Sequence, residues 1–193
     1  FLDTSSLVAP DELNGDLLLM ESRTSVRRIT SHLLEQGRTL PGFIGDIGYA
    51  QSNRERYEGF CQALTDAGKK VDSSLCLTTP LGIDTYREEI DTFLSSLSRM
   101  PDAFVCASDY VACILMQLLE KRGLRVPEDV AVSGFDNNTE DLLAEHLTTV
   151  QVFNEELGAR LALQILYRIK YPNTPHEVTY LGTNVLYRDS TGD

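Results

Sequence analysis

The sequence has no tryptophan, three histidines and four cysteines, and each scarcity removes a class of chemistry. The histidines stand far apart, at 32, 146 and 176. His176-Glu177 is not followed by a second His at metalloprotease spacing, so each His reads as a helix or loop residue. The cysteines at 61, 76, 106 and 113 form no C-x-x-C pair and read as buried free thiols. Neither a metal nor a cofactor is expected. No apolar run approaches the roughly 18 residues that span a bilayer, and the longest is Tyr110–Met116. The start, Phe1-Leu2-Asp3-Thr4-Ser5, has no basic residues and no signal-peptide stretch. Two apolar residues without a Met read as entry in mid-strand, and a cytoplasmic location with no membrane contact is expected. Positive charge is scarce too. Lys and Arg number 17 against 29 Asp and Glu, a formal net charge of −12. Such a chain repels phosphate backbones and offers no nucleic-acid surface of its own.

Enzyme signatures are missing as well. Gly42-x-x-Gly45-x-x-Gly48 is not the dinucleotide fingerprint, and Ala67-Gly68-Lys69-Lys70 lacks the upstream glycine of a P-loop. Ser133-Gly134 is no nucleophile elbow. Asp136, Glu140 and Asp141 read as a solvated acidic loop, and Asn137-Asn138-Thr139 fits a glycosylation sequon without meaning in a cytoplasmic chain. The chain is not expected to be an enzyme.

What is present is an ordinary globular composition, 42% hydrophobic and 24% charged, over 193 residues. A chain of this size buries roughly 70% of its unfolded surface, enough for a core without staples. Strand and helix patterns alternate. Gly42–Gly45 is a short apolar strand, followed by a helix with Tyr57, Phe60, Cys61 and Leu64 at i, i+3, i+4 and i+7, stopped by Gly68. Val71–Leu77 reads as a strand, and Asp84 reads as the cap of a helix carrying Tyr86, Ile90, Phe93, Leu94 and Leu97. Ala103–Ala107 is apolar throughout, and Ser108 or Asp109 caps the helix of Val111, Ile114, Leu115, Leu118 and Leu119. Val130–Phe135 is the next strand. This β-α-β-α-β-α-β order predicts an α/β fold, a parallel sheet with helices on both faces. Outside it, Asp16–Met20 reads as a strand and Val26, Ile29, Leu33 and Leu34 as a helix. Asn154 reads as the cap of a helix closed by Pro172, Val178–Tyr187 as extended chain, and Arg188–Asp193 as a polar tail.

In open parallel sheets, ligands bind outside the carboxyl ends of the strands. Each such end here delivers polar groups: Ser52, Asn53 and Arg56 after the first strand, Ser108 and Asp109 after Ala103–Ala107, and Asp136, Asn137 and Asn138 after Val130–Phe135. A guanidinium fork, a carboxylate and several hydroxyl or amide groups suit a polyhydroxy ligand such as a sugar. The same residues also suit helix caps and turns, and for Ser108 and Asp109 that reading is strong.

Several blocks stand in a telling order: His32-Leu33-Leu34-x-x-Gly37, Arg56-x-x-Gly59-Phe60-x-x-Ala63-Leu64, Ala107-Ser108-Asp109, Val126-Pro127-Glu128-Asp129-Val130-Ala131-Val132, Gly134-Phe135-Asp136-Asn137 and Leu147-Thr148-Thr149-Val150. Together they resemble the effector-binding domain of the LacI/GalR family of bacterial transcriptional regulators. The resemblance implies a fold like a type I periplasmic binding protein, two α/β subdomains with effector between them. It implies crossovers near 20–22, 150–152 and 180–183. Residues 22–150 and 183–193 would form the C-terminal subdomain, complete. Residues 1–20 and 152–180 would be a remnant of the N-terminal one. It also implies effector contacts by position: Arg56, Asp136 as its acidic partner, Asp3 as a second carboxylate, Ser52 as a hydroxyl contact, and Ser108 where many members carry Asn. Implied partners are a small-molecule effector, a sugar, a second copy of the chain in a homodimer, and operator DNA through a helix-turn-helix this chain lacks. A sugar-binding protein of a transport system and a Rossmann-like enzyme are the competing readings. The Val126–Val132 block favours the regulator.

With a net charge of −12 and no basic reading helix, this chain alone is predicted not to bind DNA specifically. A footprint on any operator by these 193 residues would overturn the domain assignment.

Overall fold

The structure, a computed structural model, describes residues 1–82, 84–137 and 142–193. The expectations for Asn138, Thr139, Glu140 and Asp141 lie outside the described residues. Strand β1 (Leu17–Met20) leads into helix α1 (Arg23–Glu35). Then follow β2 (Pro41–Ile44), α2 (Gln51–Asp66), β3 (Cys76–Leu77), α3 (Tyr86–Ser96), β4 (Ala103–Cys106), α4 (Asp109–Lys121) and β5 (Ala131–Ser133). The chain continues through β6 (Thr149–Gln151), α5 (Asn154–Lys170), β7 (Val178–Leu181) and β8 (Asn184–Leu186).

Strands β3, β2, β4 and β5 form the main sheet in that order, parallel as the alternating pattern predicts. Phe43 sits opposite Val105, and Val105 opposite Ser133, so register runs straight across it. Isolated bridges from Ser133 to Thr148 and from Asp136 to Gln151 carry the sheet on towards β6, which pairs antiparallel with β8. Strands β1 and β7 form a separate parallel pair, and Leu2 bridges to Leu18 on the other edge of β1.

Every residue of β2 and β4 is buried, because helices cover both faces. On one face Ile90, Leu94, Val111, Leu115, Leu118 and Leu119 of α3 and α4 pack against Ile44, Phe104 and Val132. On the other, Val26, Ile29, Leu33, Phe60 and Leu64 of α1 and α2 pack against Phe43, Val105 and Phe135. Helices α1 and α2 touch backbone to backbone. A Cβ on Gly59 would lie 2.2 Å from the Arg23 carbonyl oxygen, so only glycine permits this approach. That contact turns α2 from the Tyr57 stripe. Its buried face is Ser52, Glu55, Arg56, Gly59, Phe60, Ala63 and Leu64, while Tyr57 and Cys61 are half-buried.

Several boundaries differ from the sequence reading. Val71–Leu77 is strand only at Cys76–Leu77, because Asp72 accepts from Ser74 N and winds 73–75 into a 3-10 turn. Thr85, not Asp84, flanks α3, and Asn154 is the first residue of α5 rather than its cap. The extended run 178–187 breaks into β7 and β8, which belong to different sheets. Cys106 and Cys113 are buried and in no disulfide, whereas Cys61 and Cys76 are half-buried.

The polar tail, Arg188–Asp193, is anchored to the main sheet. The Ser190 hydroxyl donates to Val132 O at 2.6 Å and accepts from Thr148 N at 2.8 Å. Thr191 and Thr148 share a hydroxyl–hydroxyl bond of 2.6 Å, and Asp193 lies 2.9 Å from His32 Nε2. Polar residues here fill a buried sheet edge that lacks backbone partners. Ser190→Ala is expected to lower unfolding free energy by about 2 kcal/mol, since it strands a buried N–H and a buried carbonyl. Urea denaturation with an unchanged slope checks this.

Candidate functional site

The carboxyl edge of the main sheet is organised around one buried cation. Arg56 lies one turn into α2 on its inward face and is 5% exposed. Its Nη1 donates to Ala107 O at 2.5 Å, just past β4, and to Asn53 Oδ1 at 3.4 Å. Its Nη2 faces Asp136 Oδ1 at 3.5 Å and Met20 Sδ at 3.5 Å. The guanidinium carbon stacks 3.7 Å from the centre of the Phe135 ring. Nε is buried without a hydrogen-bond partner. Burial pulls the Arg56 charge below its ordinary range, and Asp136, Asp3, Asp109 and Glu55 push it back, in that order. The sequence reading sets Arg56 among the polar groups at the carboxyl end of the first strand, and the structure buries its guanidinium there.

Asp136 is placed by β5 and by Asp136 N, which donates to Val150 O at 3.0 Å. Its backbone has φ 109, a region that L side chains rarely adopt. The carboxylate is 43% exposed, so one side meets Arg56 and the other stays open. Burial raises its proton affinity above the ordinary carboxylate range, against the pull of Arg56. An acid whose folded pKa is raised costs stability as pH rises from 3.8 through the folded value. Asp109 comes close because Gly134 has no Cβ; one there would lie 2.3 Å from Asp109 Oδ1. Asp109 accepts from Thr149 Oγ1 at 2.5 Å.

Asp3 and Ser52 meet. Ser52 Oγ donates to Asp3 Oδ2 at 2.6 Å, and Ser52 N points to Oδ1 at 3.4 Å. The Asp3 carboxylate thus sits on the N-terminus of α2, where Ala50 supplies no side-chain cap. Ser108 caps α4, accepting from Val111 N at 3.3 Å. Asn53 donates to Asp46 O, and Asn137 takes part in bonds with Thr149, Gln151 and Arg188, so both serve the frame.

The structure therefore brings Arg56, Asp136, Asp3 and Ser52 to one edge, with Ser108 nearby as a helix cap. Sequence reasoning passed over Glu55 and Phe135. Glu55 is buried and accepts from Tyr180 of β7 at 2.8 Å and from Gln51 at 3.2 Å. Its signal was its spacing of three from Ser52, on the same helix face. Phe135, an aromatic directly before the acid, is the ring under the guanidinium. Among the described residues no three His, Cys, Asp or Glu side chains gather to hold a metal ion.

Arg56 and Asp136 are expected to part company under mutation. Arg56→Ala leaves buried carboxylates unopposed and should cost about 3–4 kcal/mol of unfolding free energy. Asp136→Gly relieves the backbone at φ 109 and should gain roughly 1 kcal/mol without ligand. Chemical denaturation of both variants checks this; a loss above about 2 kcal/mol for Asp136→Gly would make that side chain a structural one.

Comparison with known proteins agrees with this fold. The family model for the periplasmic binding protein-like domain matches residues 30–191. The HTH-type transcriptional regulator DegA of Bacillus subtilis (strain 168) is 32% identical over 146 residues, 75% of this chain and 42% of that protein. A LacI-family regulator structure from Sanguibacter keddieii superposes with TM-score 0.81 at 27% identity, covering 92% of this chain and 67% of that one. The transcriptional regulator CelR, solved with cellobiose, gives TM-score 0.79 at 27% identity, covering 93% and 55%. The chain spans about half the length of the curated relatives it matches. These relatives are transcriptional regulators, and none of the described helices is long and apolar enough to cross a membrane. With most of its length matched by the model and its carboxyl edge built as described, the chain belongs to the periplasmic binding protein-like domain family, in the form that LacI-type regulators carry.

Proposed function

We propose that this chain senses a small-molecule effector, a sugar, at the edge formed by Arg56, Asp136, Asp3 and Ser52, and that occupancy controls operator binding by another part of the full protein. The observation that carries this reading is Asp136. A half-open carboxylate on a backbone at φ 109, beside a buried guanidinium, is costly for the empty fold. Such cost is retained where a ligand repays it. The cellobiose bound by CelR supports a sugar as the ligand class.

Two lobes would share the work. Residues 22–150 and 183–193 form one lobe around the main sheet. Residues 1–20 and 152–180 belong to the other, built on β1, β7 and α5. Helix α5 supports this, because Leu163, Ile165, Leu166 and Ile169 stand exposed, Ile169 at 73%, as on a helix that expects a covering layer. Beside it lies a cavity of about 220 Å³ between β1 and α5. Asp3, Met20 and Tyr180 reach across from that side to the first turns of α2. The protein is cytoplasmic in this reading, performs no catalysis and pairs with a second copy, a two-fold arrangement that suits a palindromic operator.

Calorimetry and thermal unfolding of the full protein with cellobiose, glucose, galactose and ribose test the proposal. At least one sugar should raise the unfolding temperature. Asp136→Asn should weaken its binding by about ten- to a hundredfold, the worth of one charge-assisted hydrogen bond to a hydroxyl, and Ser52→Ala by about two- to tenfold, the worth of a neutral one. If both variants bind as the parent does, the effector lies elsewhere.

A further inference from the structure

We propose that this edge selects its effector by charge: it admits neutral and ammonium-bearing polyhydroxy ligands and rejects phosphorylated and carboxylated ones. The inference rests on the effector reading above and narrows it to a ligand class.

The first ground is the balance of charge. Arg56 stands among four carboxylates, Asp136, Asp3, Asp109 and Glu55, and a second guanidinium, Arg188, is held at Asn137 Oδ1 at 2.8 Å, so acid outnumbers base at this edge. Asp136 is in ion-pair distance of it, Asp3 is bonded to Ser52 one turn earlier on the same helix face, and Glu55 is its sequence neighbour on that face. Asp109 and Glu55 are both buried, so solvent screens them little.

The second ground is where the donors point. A guanidinium that grips phosphate or carboxylate presents two parallel N–H groups to it. Here Nη1 is committed to Ala107 O and Asn53, Nη2 to Asp136 and Met20, and one face of the plane to Phe135. The remaining donor, Nε, is buried. No fork faces a ligand.

The third ground is the helix termini. An open helix N-terminus at a sheet edge is a ready anion site. The two that matter here are already filled. Asp3 places its own carboxylate on the start of α2, and Ser108 caps α4 with Asp109 in its first turn. What the edge leaves open is an acceptor, the exposed side of Asp136. An acceptor calls for hydroxyl or ammonium donors. An extra negative charge about 8 Å from one carboxylate, at an effective dielectric of 20 to 40, loses roughly five- to thirtyfold in affinity.

The experiment uses the full protein at low salt and three matched sets built on glucose, galactose and ribose. Each set holds the neutral sugar, its 2-amino or other amino derivative, its acid and its phosphate ester. Neutral nucleosides, nucleotides and simple polyamines complete the panel. For the sugar that binds, the phosphate and the acid should bind at least thirtyfold more weakly, and the amino sugar at least as tightly. The gap should shrink as salt rises from 0.05 to 0.5 M. Glu55→Gln keeps an acceptor for Tyr180 and removes one charge, so it should narrow the phosphate-to-neutral ratio by about fivefold. Should that variant fail to fold, the salt dependence carries the same reading. A phosphorylated or acidic sugar binding as tightly as its neutral parent would overturn the charge rule and leave the sugar reading standing. A neutral nucleoside or amine as the sole binder would overturn the sugar reading and leave the charge rule. A panel with no binder would overturn both.

Discussion

The edge depends on a guanidinium taken out of water. Burying a charge is costly unless partners surround it, and the partners of Arg56 come from every element that meets at this edge. The Ala107 carbonyl arrives from just past β4, the Phe135 ring and Asp136 from the segment after β5, Met20 from β1, and Asn53 from its own helix. None of these contacts is local except the last. The cation therefore works as a gauge of correct assembly: it is satisfied only when the sheet, α2 and β1 are all in place. Asp136, Asp109 and Glu55 would each be a poorer buried or half-buried acid without it.

The main sheet was legible because parallel strands covered on both faces are apolar throughout, and Ala103–Ala107 and Val130–Phe135 have no other use. Order and helix count followed from spacing. Register of the tail was not legible. Arg188–Asp193 has the composition of solvated chain, and its burial depends on Thr148 and Val132, some 40 to 58 positions away. The same holds for Arg56. Helical periodicity placed it off the Tyr57 stripe, and nothing in the local sequence shows that Gly59 lets α1 close in and rotate the face.

The site residues divide along the same line. Ser108 is where local rules point, at a helix cap, and the cap is what the structure shows. Asp3 and Ser52 were singled out as separate contacts by position, and the structure adds that they bond to each other. Their pairing needs the first residues of the chain to run beside β1, a fact carried by the Leu2–Leu18 bridge and not by either residue. Glu55 and Phe135 escaped notice for an opposite reason. Each looks ordinary by residue type, and its task shows only once Tyr180 reaches Glu55 and the guanidinium lies over the Phe135 ring.

The anchoring of the tail has a consequence for how the molecule handles force. Ser190 grips the carbonyl of Val132, three residues before Phe135 and four before Asp136. The last six residues are thus a wedge under the strand that aims the acid. Strain on residues 188–193 reaches, through β5, the angle at which Asp136 meets its guanidinium. Strain on residues 1–3 reaches Asp3 instead. Two stretches far apart in sequence are thus levers on the two carboxylates that flank one cation.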